Sequence, residues 1–345
     1  VIVYRLKASV LPALPIALNF PWLNLTFRPA NLRRVTAILE EHCPDILHLH
    51  NHMFDLGLVA ARMRKQFKIP MVTTVHTIIR HSNPLYNLVL LPADRVLLKK
   101  LVIDKSDRLI CPDFNVSRYV QEIFHRAGTT IVPYGIETLT NFDLERVEEL
   151  RDLHQLHQKR VILSIGHVHE IRNRHDLIAA MPAILKKAPD TVILIVGALS
   201  TKSPLNLAKS LGVDYAVLFT GPVAHTDIVN YLALADMEAH WLNQEEPERT
   251  SLGIASLEAM LAGKVVLAAA NPDTYGPGLL KNGENIIIVR PGEPDQLAQT
   301  IVGLMLDENR RREIGQRARE SIAEQFSWDS VSNQTLQVYR KTLAQ

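Results

Sequence analysis

Short apolar runs recur along the chain, and each ends in polar or turn-forming residues. They lie within DILHLH, IPMVTTVH, RLICP, TIVPYG, RVILSIG, TVILIVG, VLFTG, VVLAA and IIIVRP. Runs of about four to six residues that are rich in valine, isoleucine and leucine are typical of buried strands. The pattern therefore predicts many short strands that are covered on both faces.

Longer segments, with apolar residues three or four positions apart, separate these runs as amphipathic helices would. They cover 54–67, 177–188, 204–211, 227–235, 252–262, 295–306 and 310–325. Strands that alternate with helices pair in parallel and bury both faces of their sheet. We therefore expect an α/β protein with doubly wound, Rossmann-like sheets, which bind ligands at the carboxyl ends of their strands.

The alternation stops between residues 137 and 158, where the chain is polar and contains no apolar run. RVILSIG then resumes it as a first strand would, and the length suits two domains. We expect an incomplete N-terminal Rossmann-like domain with its linker over 1–145 and a C-terminal Rossmann-like domain over 146–330. A C-terminal helix over 331–345 would pack back on the first lobe, and a cleft would separate the lobes.

The chain begins with VIVYRLKASVLPALPIALNFPWL, an apolar stretch that Arg5, Lys7 and three prolines interrupt. A transmembrane helix needs about 20 consecutive apolar residues, so this stretch is not expected to span a membrane. The first residue, Val1, lies inside an apparent strand. A doubly wound lobe should have further elements before it, so we expect a first lobe truncated by about fifty residues.

The amino-acid composition and the absence of certain motifs exclude several classes of function. The 345 residues include 38 Lys and Arg against 36 Asp and Glu, a formal charge of +2, which does not indicate a nucleic-acid partner. Cys43 and Cys111 are far apart, so we expect no disulfide framework and no thiolate zinc site, and a reducing cytoplasm fits best. The absence of GxSxG, Walker, HExxH and GxGxxG motifs counts against hydrolase, P-loop and ordinary dinucleotide-binding proteins.

The segment ERTSLGIASLEAMLAG, residues 248–263, predicts a helix with a glutamate beside its apolar face. Thr250 or Ser251 would cap the helix, and Gly263 would end it. The positions predicted to face the core are Ile254, Leu257 and Leu261.

The first turn of this helix would present the N–H groups of Leu252, Gly253 and Ile254 at the positive end of the helix dipole, which suits phosphate. Glu258 lies about 6–9 Å further along the axis. A carboxylate is costly to bury unpaired, and a ribose diol would supply the two donors that it needs. The alternative is an exposed Glu258 paired with a nearby Arg or Lys, and the spacing alone leaves both interpretations open.

Two other loops follow strands of the second half. The segment SIGHVHEIRNRHDL turns at Gly166 and then carries His167, Arg172 and Arg174, cations that could neutralise a diphosphate or lie in a solvated loop. VLFTGPV ends at Val223, whose backbone could meet a flat base. Each loop taken singly is a weak signal.

Histidines mark the strand ends of the first half. His48, His50 and His52 alternate as strand residues on one face do, so they could hold zinc or be satisfied structurally, and no fourth ligand has convincing spacing. His76 lies at the end of another predicted strand, where its imidazole could form a hydrogen bond with a substrate hydroxyl or have only a structural role. The basic segment RVLLKKLVIDKSDR, residues 95–108, could face lipid headgroups or be a solvated helix.

Together these segments resemble the retaining glycosyltransferases of family 4 (glycosyl transferases group 1), which have the two-lobed GT-B fold. The resemblance covers nearly the whole chain. One of its motifs is a variant: this chain has IVPYGIE where the family usually has PNG followed by an aliphatic residue and Asp. The motifs that carry it are DILHLH, VTTVHT, IVPYGIE, RVILSIG, VLFTGPV, YLALAD, GIASLEAMLAGKVV and FSW.

The resemblance implies transfer of a sugar from a UDP- or GDP-sugar to an acceptor hydroxyl, with retention of the anomeric configuration and without a metal or other cofactor. The acceptor would be a sugar or a lipid-linked molecule. The protein would be cytoplasmic, with peripheral contact at the inner face of the membrane as a further expectation.

By position, Glu258 resembles the family's ribose ligand, Leu252 to Ile254 the backbone near the phosphates, and Val223 a base contact. Arg172 occupies the place of the lysine beside the diphosphate. His76 resembles the first-lobe histidine near the reacting sugar, and it would bind that sugar or stabilise the transition state.

Two positions depart from the family pattern. His167 stands where the family usually has Arg, beside the Gly166 turn. The first family glutamate should lie eight residues before Glu258, where this chain has Thr250, whereas Glu248 lies two residues earlier. Either a longer loop brings Glu248 to the donor sugar or Thr250 replaces the contact.

Two other functions stay open, and the departures favour the first of them. One is a non-catalytic or weakly active protein that binds nucleotide sugars. The other is a nucleotide-sugar epimerase of the same architecture.

Overall fold

The computed structural model describes residues 1–11, 23–79, 84–137, 141–168, 174–239 and 251–344. The chain forms two compact units, one of Val1–Pro133 with Ser332–Gln345 and the other of Tyr134–Val331. Within the described residues, no helix combines the length and the apolar character that crossing a bilayer requires.

The first unit contains a four-stranded parallel sheet and a small antiparallel hairpin. Its strands are β1 (Ser9–Leu11), β2 (Leu23–Leu25), β3 (Leu47–His50), β4 (Met71–Thr74), β5 (Arg108–Cys111) and β6 (Thr130–Ile131). Its helices are α1 (Pro29–His42), α2 (Leu56–Phe67), α3 (Pro84–Pro92), a π-helix (Ala93–Leu98), α4 (Lys99–Leu101), a 3₁₀ turn (Ile103–Lys105) and α5 (Phe114–Phe124).

The parallel sheet of the first unit has the strand order β3-β4-β5-β6, so each strand pairs with the next along the chain. All four residues of β4 are buried, as both-face coverage requires. His50 pairs with Thr74 in register, so the carboxyl ends of β3 and β4 lie side by side.

The second unit contains a six-stranded parallel sheet. Its strands are β7 (Arg160–Ile165), β8 (Thr191–Val196), β9 (Val217–Gly221), β10 (Met237–Ala239), β11 (Val265–Ala268) and β12 (Ile287–Ile288). Its helices are α6 (Leu144–Leu153), α7 (His175–Lys187), α8 (Ser203–Ser210), α9 (Ile228–Leu234), α10 (Ile254–Leu261), α11 (Pro294–Leu306) and α12 (Glu308–Ile322), with α13 (Trp328–Leu343) beginning here and ending in the first unit.

The strand order of this sheet is β12-β11-β10-β7-β8-β9. Numbered along the unit, that is the order of a Rossmann fold, and the direction of winding reverses between β7 and β10. Leu163 and Ile162, neighbours on β7, belong to two different apolar clusters, one on each face of the sheet. The crevice at the carboxyl ends of β7 and β10 is therefore where a ligand should bind.

The predicted α/β class with two Rossmann-like lobes is confirmed. Every apolar run named above contains a strand. The pattern missed β10, because Glu238 interrupts its apolar residues, and it also missed the hairpin of β1 and β2.

Candidate functional site

Glycines end three neighbouring strands of the second unit. Gly166, Gly197 and Gly221 follow or close β7, β8 and β9, with φ angles of 121°, 147° and 75°. The Gly197 N–H donates to the Gly221 carbonyl at 2.9 Å, and a Cβ on Gly197 would lie 2.3 Å from the Gly166 carbonyl oxygen. This edge of the sheet is therefore bare backbone, which a ligand can approach closely.

Arg174 supports the loop after β7. The residue is 1% exposed, and its guanidinium donates to the carbonyl oxygens of Gly166 at 3.1 Å and His167 at 3.4 Å. His167 is itself exposed. Arg174 thus holds the backbone of Gly166 and His167, and the sequence-based expectation of a cation released toward solvent is wrong for this residue.

The helix predicted over 252–262 begins later than expected. Gly253, with extended backbone, occupies the N-cap position of α10 that was predicted for Thr250 or Ser251, and a glycine has no side chain to cap the helix. Ile254 is 48% exposed, so its predicted place in the core is wrong, whereas Leu257 and Leu261 are buried. Gly263, at φ 75°, follows the end of the helix as predicted.

A glycine at the N-cap supplies no side-chain acceptor of its own to the free N–H groups of the first turn. In α10 this end follows the short backbone stretch of Leu252 and Gly253, and Ile254 faces solvent. Because the helix dipole also places partial positive charge here, the start of α10 is suited to an anionic group.

Glu258 is buried behind this helix start. Its side chain is 7% exposed, and Oε1 lies 3.4 Å from Nε2 of His225, whose side chain is 68% exposed. Burial raises the pKa of Glu258, His225 opposes that rise, and the negative charge of Glu137 adds to it. The alternative of an exposed Glu258 paired with Arg or Lys is therefore wrong.

The segment after β9 carries the partner of this carboxylate, His225. Val223 is half-buried and packs against the core of the unit, and His225 begins the short 3₁₀ turn His225–Asp227. Sequence reasoning did not find His225, because a histidine in a polar turn has no periodic signal. It is the partner that Glu258 has to release if a ligand takes its place.

A second carboxyl group, Glu238, is buried on β10. It is fully buried, and neither of its oxygens makes a well-aligned hydrogen bond within the described part of the chain. Burial raises the pKa of Glu238 to about 8, although the Ser256 hydroxyl and the charge of Arg174 favour its ionised form. At neutral pH it is therefore mostly a neutral acid beside the switch point of the sheet.

In the first unit, three imidazoles meet at the ends of β3 and β4. His50 Nδ1 lies 3.0 Å from His76 Nε2 with the rings stacked, and the rings of His48 and His50 are 4.2 Å apart. His48 also contacts the Thr74 hydroxyl at 2.7 Å and the Tyr339 hydroxyl at 2.5 Å.

These histidines are neutral at neutral pH. Burial and the neighbouring imidazoles lower the pKa of His48 and of His76 to about 4, and burial also lowers the pKa of His50. A neutral imidazole can donate one hydrogen bond and accept another. The cluster can therefore bind hydroxyl groups without carrying charge.

His52 does not join this cluster. It is fully buried, and Nε2 lies 3.1 Å from Oδ1 of the buried Asp94. The expectation of His48, His50 and His52 on one face is thus wrong, and His76 takes the third place. No group of three or more His, Cys, Asp or Glu side chains among the described residues is arranged to hold a metal ion.

The site residues therefore fall into two sets. Of the predicted site residues, the second unit contains Gly166, His167, Val223, Leu252, Gly253, Ile254 and Glu258, and the first unit contains His76. Arg172, Glu248 and Thr250 lie outside the described residues, so their assignments stay predictions.

Comparisons with known proteins agree with this architecture. The profile of the family Glycosyl transferases group 1 matches residues 146–321, and that of Glycosyltransferase Family 4 matches residues 5–138. The chain therefore belongs to the glycosyl transferases group 1 family. Its enzyme class is that of the glycosyltransferases.

Among curated relatives, N-acetyl-alpha-D-glucosaminyl L-malate synthase of Bacillus anthracis is 25% identical over 87% of this chain and 75% of its own length. A GDP-mannose-dependent alpha-(1-6)-phosphatidylinositol monomannoside mannosyltransferase of Mycobacterium tuberculosis is 26% identical over 70% of this chain and 64% of its own length. HepE of Anabaena, crystallised with UDP, superposes with a TM-score of 0.74 at 21% identity, over 90% of this chain and 82% of its own. The last likeness supports the two-lobed fold.

Proposed function

We propose that the protein transfers a sugar from a nucleoside-diphosphate sugar to an acceptor hydroxyl, retaining the anomeric configuration and requiring no metal. The observation that carries this proposal is the buried carboxylate of Glu258 in α10, the helix that has Gly253 at its N-cap. An anion site and a hydroxyl-binding carboxylate about one helical turn apart match a diphosphate joined to a ribose.

The donor-binding roles follow from this match. The diphosphate binds at the start of α10 and beside Gly166 and His167, while the ribose hydroxyls donate to Glu258. A ribose diol satisfies a buried carboxylate better than the exposed His225 does, because it supplies two donors at fixed separation. The base stacks over the backbone at Val223.

His76 keeps the role that the family resemblance implies, contact with the donor sugar. Its lowered pKa makes the imidazole neutral, so it offers the sugar hydroxyls a hydrogen bond and does not compete for the diphosphate. Arg172 supplies charge to the diphosphate, and Glu248 or Thr250 contacts the donor sugar.

In the transfer step, the acceptor oxygen forms a bond to the anomeric carbon as the bond from that carbon to the diphosphate oxygen breaks. The acceptor proton passes to the departing diphosphate, and both bonds lie on the same face of the sugar. No residue of the protein has to act as a covalent nucleophile. The protein's part is to hold the two substrates and stabilise the developing diphosphate charge.

Both UDP- and GDP-sugars are candidate donors. The crystallised HepE chains contain UDP, in one case with glucose, whereas the mycobacterial mannosyltransferase is named for GDP-mannose. The acceptor is a hydroxyl on a sugar or a lipid-linked molecule.

Calorimetric titration with UDP and GDP tests the binding half of the proposal. Glu258→Ala should weaken binding of the preferred nucleotide by about 2 kcal/mol, an affinity loss on the order of 30-fold, because the ribose hydroxyls lose a charged acceptor. Glu308→Ala, which removes an exposed glutamate of α12, is the control and should leave the affinity unchanged. Equal nucleotide affinities in the wild type and Glu258→Ala would rule out the ribose contact.

A non-catalytic nucleotide-sugar-binding protein is the second candidate, and His167 beside the Gly166 turn favours it, because the family resemblance places a permanently charged arginine there. Donor binding without release of nucleoside diphosphate, with sugar and lipid-linked acceptors present, would support it. An epimerase of the same architecture would convert the donor sugar without any acceptor.

A further inference from the structure

The helical stretch 84–101 of the first unit turns large apolar side chains to solvent. It consists of α3, the π-helix and α4, which follow one another without a break. Five of these side chains are between 54% and 71% exposed and Leu101 is 38% exposed. We call the set the apolar stripe: Leu85, Leu88, Val89, Val96, Leu97 and Leu101.

The π-helix aligns the two halves of the apolar stripe. In a straight α-helix, at about 100° per residue, Leu97 and Leu101 would point about 120° and 160° away from Leu85. The wider turns of the six-residue π-helix, Ala93–Leu98, rotate less per residue and bring both leucines back toward the side of Leu85. One helix face therefore stays apolar over the whole stretch.

Asp94 fixes which way this face points. It is fully buried, accepts a hydrogen bond from the Tyr119 hydroxyl and lies 3.1 Å from His52 Nε2. Turning the helix to bury the apolar stripe would pull this carboxylate away from both partners, which costs far more than exposing one leucine. The exposure of the stripe is thus built into the fold.

Cations accompany the second half of the stripe. Arg95 and Lys100 are exposed, and neither has an ion-pair partner within the described residues. Lys99 pairs with Asp104 at 3.0 Å, and Lys105 is exposed beyond it. A second copy of this surface would bring no free carboxylate to Arg95 or Lys100, so the charge favours a partner that is anionic and apolar at once.

We propose that the apolar stripe and its basic end dock the protein on an anionic lipid surface. The aliphatic side chains enter the boundary between headgroups and acyl chains, while Arg95 and Lys100 contact lipid phosphates. The docking does not depend on sugar transfer. It would place the enzyme beside lipid-linked acceptors.

Co-sedimentation of the full chain with vesicles, in the absence of any sugar donor, tests the docking. One vesicle type contains phosphatidylcholine alone, and the other contains about one third phosphatidylglycerol. We expect binding to the anionic vesicles that weakens as salt rises, and much weaker binding to the neutral ones.

The triple variant Leu88→Ser, Val89→Ser and Val96→Ser should lose at least tenfold in vesicle affinity, because it removes most of the inserted aliphatic surface. The matched control carries Leu144→Ser, Leu153→Ser and Leu306→Ser, which lie in the second unit and are 72%, 67% and 61% exposed. It should bind vesicles like the wild type.

A charge variant, Arg95→Gln with Lys100→Gln, keeps the docking testable if the apolar variant folds poorly. Its affinity for anionic vesicles should fall about fivefold for each cation removed. Its affinity for neutral vesicles should not change. The proposal would be overturned if the wild-type protein bound neither vesicle type, or if the triple serine variant of the apolar stripe bound vesicles as well as the control variant of the second unit. A dimer that forms with rising concentration, disappears in the triple serine variant and binds no vesicles would also overturn it.

Discussion

Both parallel sheets carry polar side chains near the carboxyl ends of their strands, but the two units treat these groups differently. In the first unit, His48, His50 and His76 contact one another and are neutral near pH 7. In the second, Glu238 and Glu258 are buried, and burial raises the pKa values of both carboxyl groups.

The difference concerns what each unit needs from a ligand. The imidazoles supply hydrogen bonds to one another, so the first edge is largely satisfied by its own side chains. The Glu258 carboxylate is a buried acceptor whose partner, His225, is exposed, and burying such a group costs free energy that a ligand with hydroxyl donors can recover. The second unit therefore has more to gain from binding.

The comparison also predicts opposite responses of stability to pH. The raised pKa of Glu238 means that the folded chain holds a proton that the unfolded chain releases near pH 4.5, so stability is full below pH 4.5 and declines as the pH rises to about 8. The histidines have the opposite effect on stability. Because their pKa values are lowered in the folded chain, the unfolded chain binds protons first as the pH falls, and stability declines.

The largest expected effect is on Glu238. Glu238→Leu should raise the free energy of unfolding on the order of 3 kcal/mol at pH 9, and much less at pH 5, because it removes a buried group that has to ionise. Urea unfolding at the two pH values measures it. Glu238→Gln, which stays polar but cannot ionise, should also lose the pH dependence; a variant that kept the wild-type dependence would show that another group causes it.

The next effect concerns the glycine edge of the second sheet. Gly197→Ala should lower the free energy of unfolding by about 2 kcal/mol, because its φ is 147° and its Cβ would lie 2.3 Å from the Gly166 carbonyl oxygen. Gly212→Ala shares a positive φ of 66° but meets no atom within 4 Å, so it should cost about 1 kcal/mol or less. Similar losses in the two variants would mean that the edge is not closely packed.

The smallest effect is the acid response of the first unit. As the pH falls from 6.5 to about 4, the unfolded chain gains protons on His48 and His76 before the folded chain does. The free energy of unfolding should therefore fall by about 1 kcal/mol for each histidine, a figure discounted for their partial exposure. His48→Gln should reduce the loss of stability between pH 7 and pH 5 in urea unfolding. An unchanged loss would show that the cluster is already protonated or solvated when folded.

Much of the fold could be predicted because buried parallel strands leave a strong signal. RVILSIG and TVILIVG are continuous apolar runs, and each proved to be a strand near the middle of the second sheet. β10 was hidden because Glu238 breaks a three-residue strand, and only the neighbouring strands make it buried. The switch point became visible only with the strand order, which is a non-local property.

The site was partly predictable for the same reason. The helical spacing placed Glu258 beside a predicted anion site but left open whether it is buried, and in the structure it is buried. The pairing of His50 with His76, and of Glu258 with His225, joins residues 26 and 33 positions apart (76 − 50 and 258 − 225), which no local pattern specifies. The burial of Arg174 likewise depends on its hydrogen bonds to the backbone of Gly166 and His167.

Release of nucleoside diphosphate from a panel of UDP- and GDP-sugars tests the central claim most directly. With sugar and lipid-linked acceptors present, the full-length protein should release UDP or GDP in step with glycosylated product, and chelation of metal ions should not stop it. No release from any donor, with folded protein that still binds the nucleotide, would contradict the account.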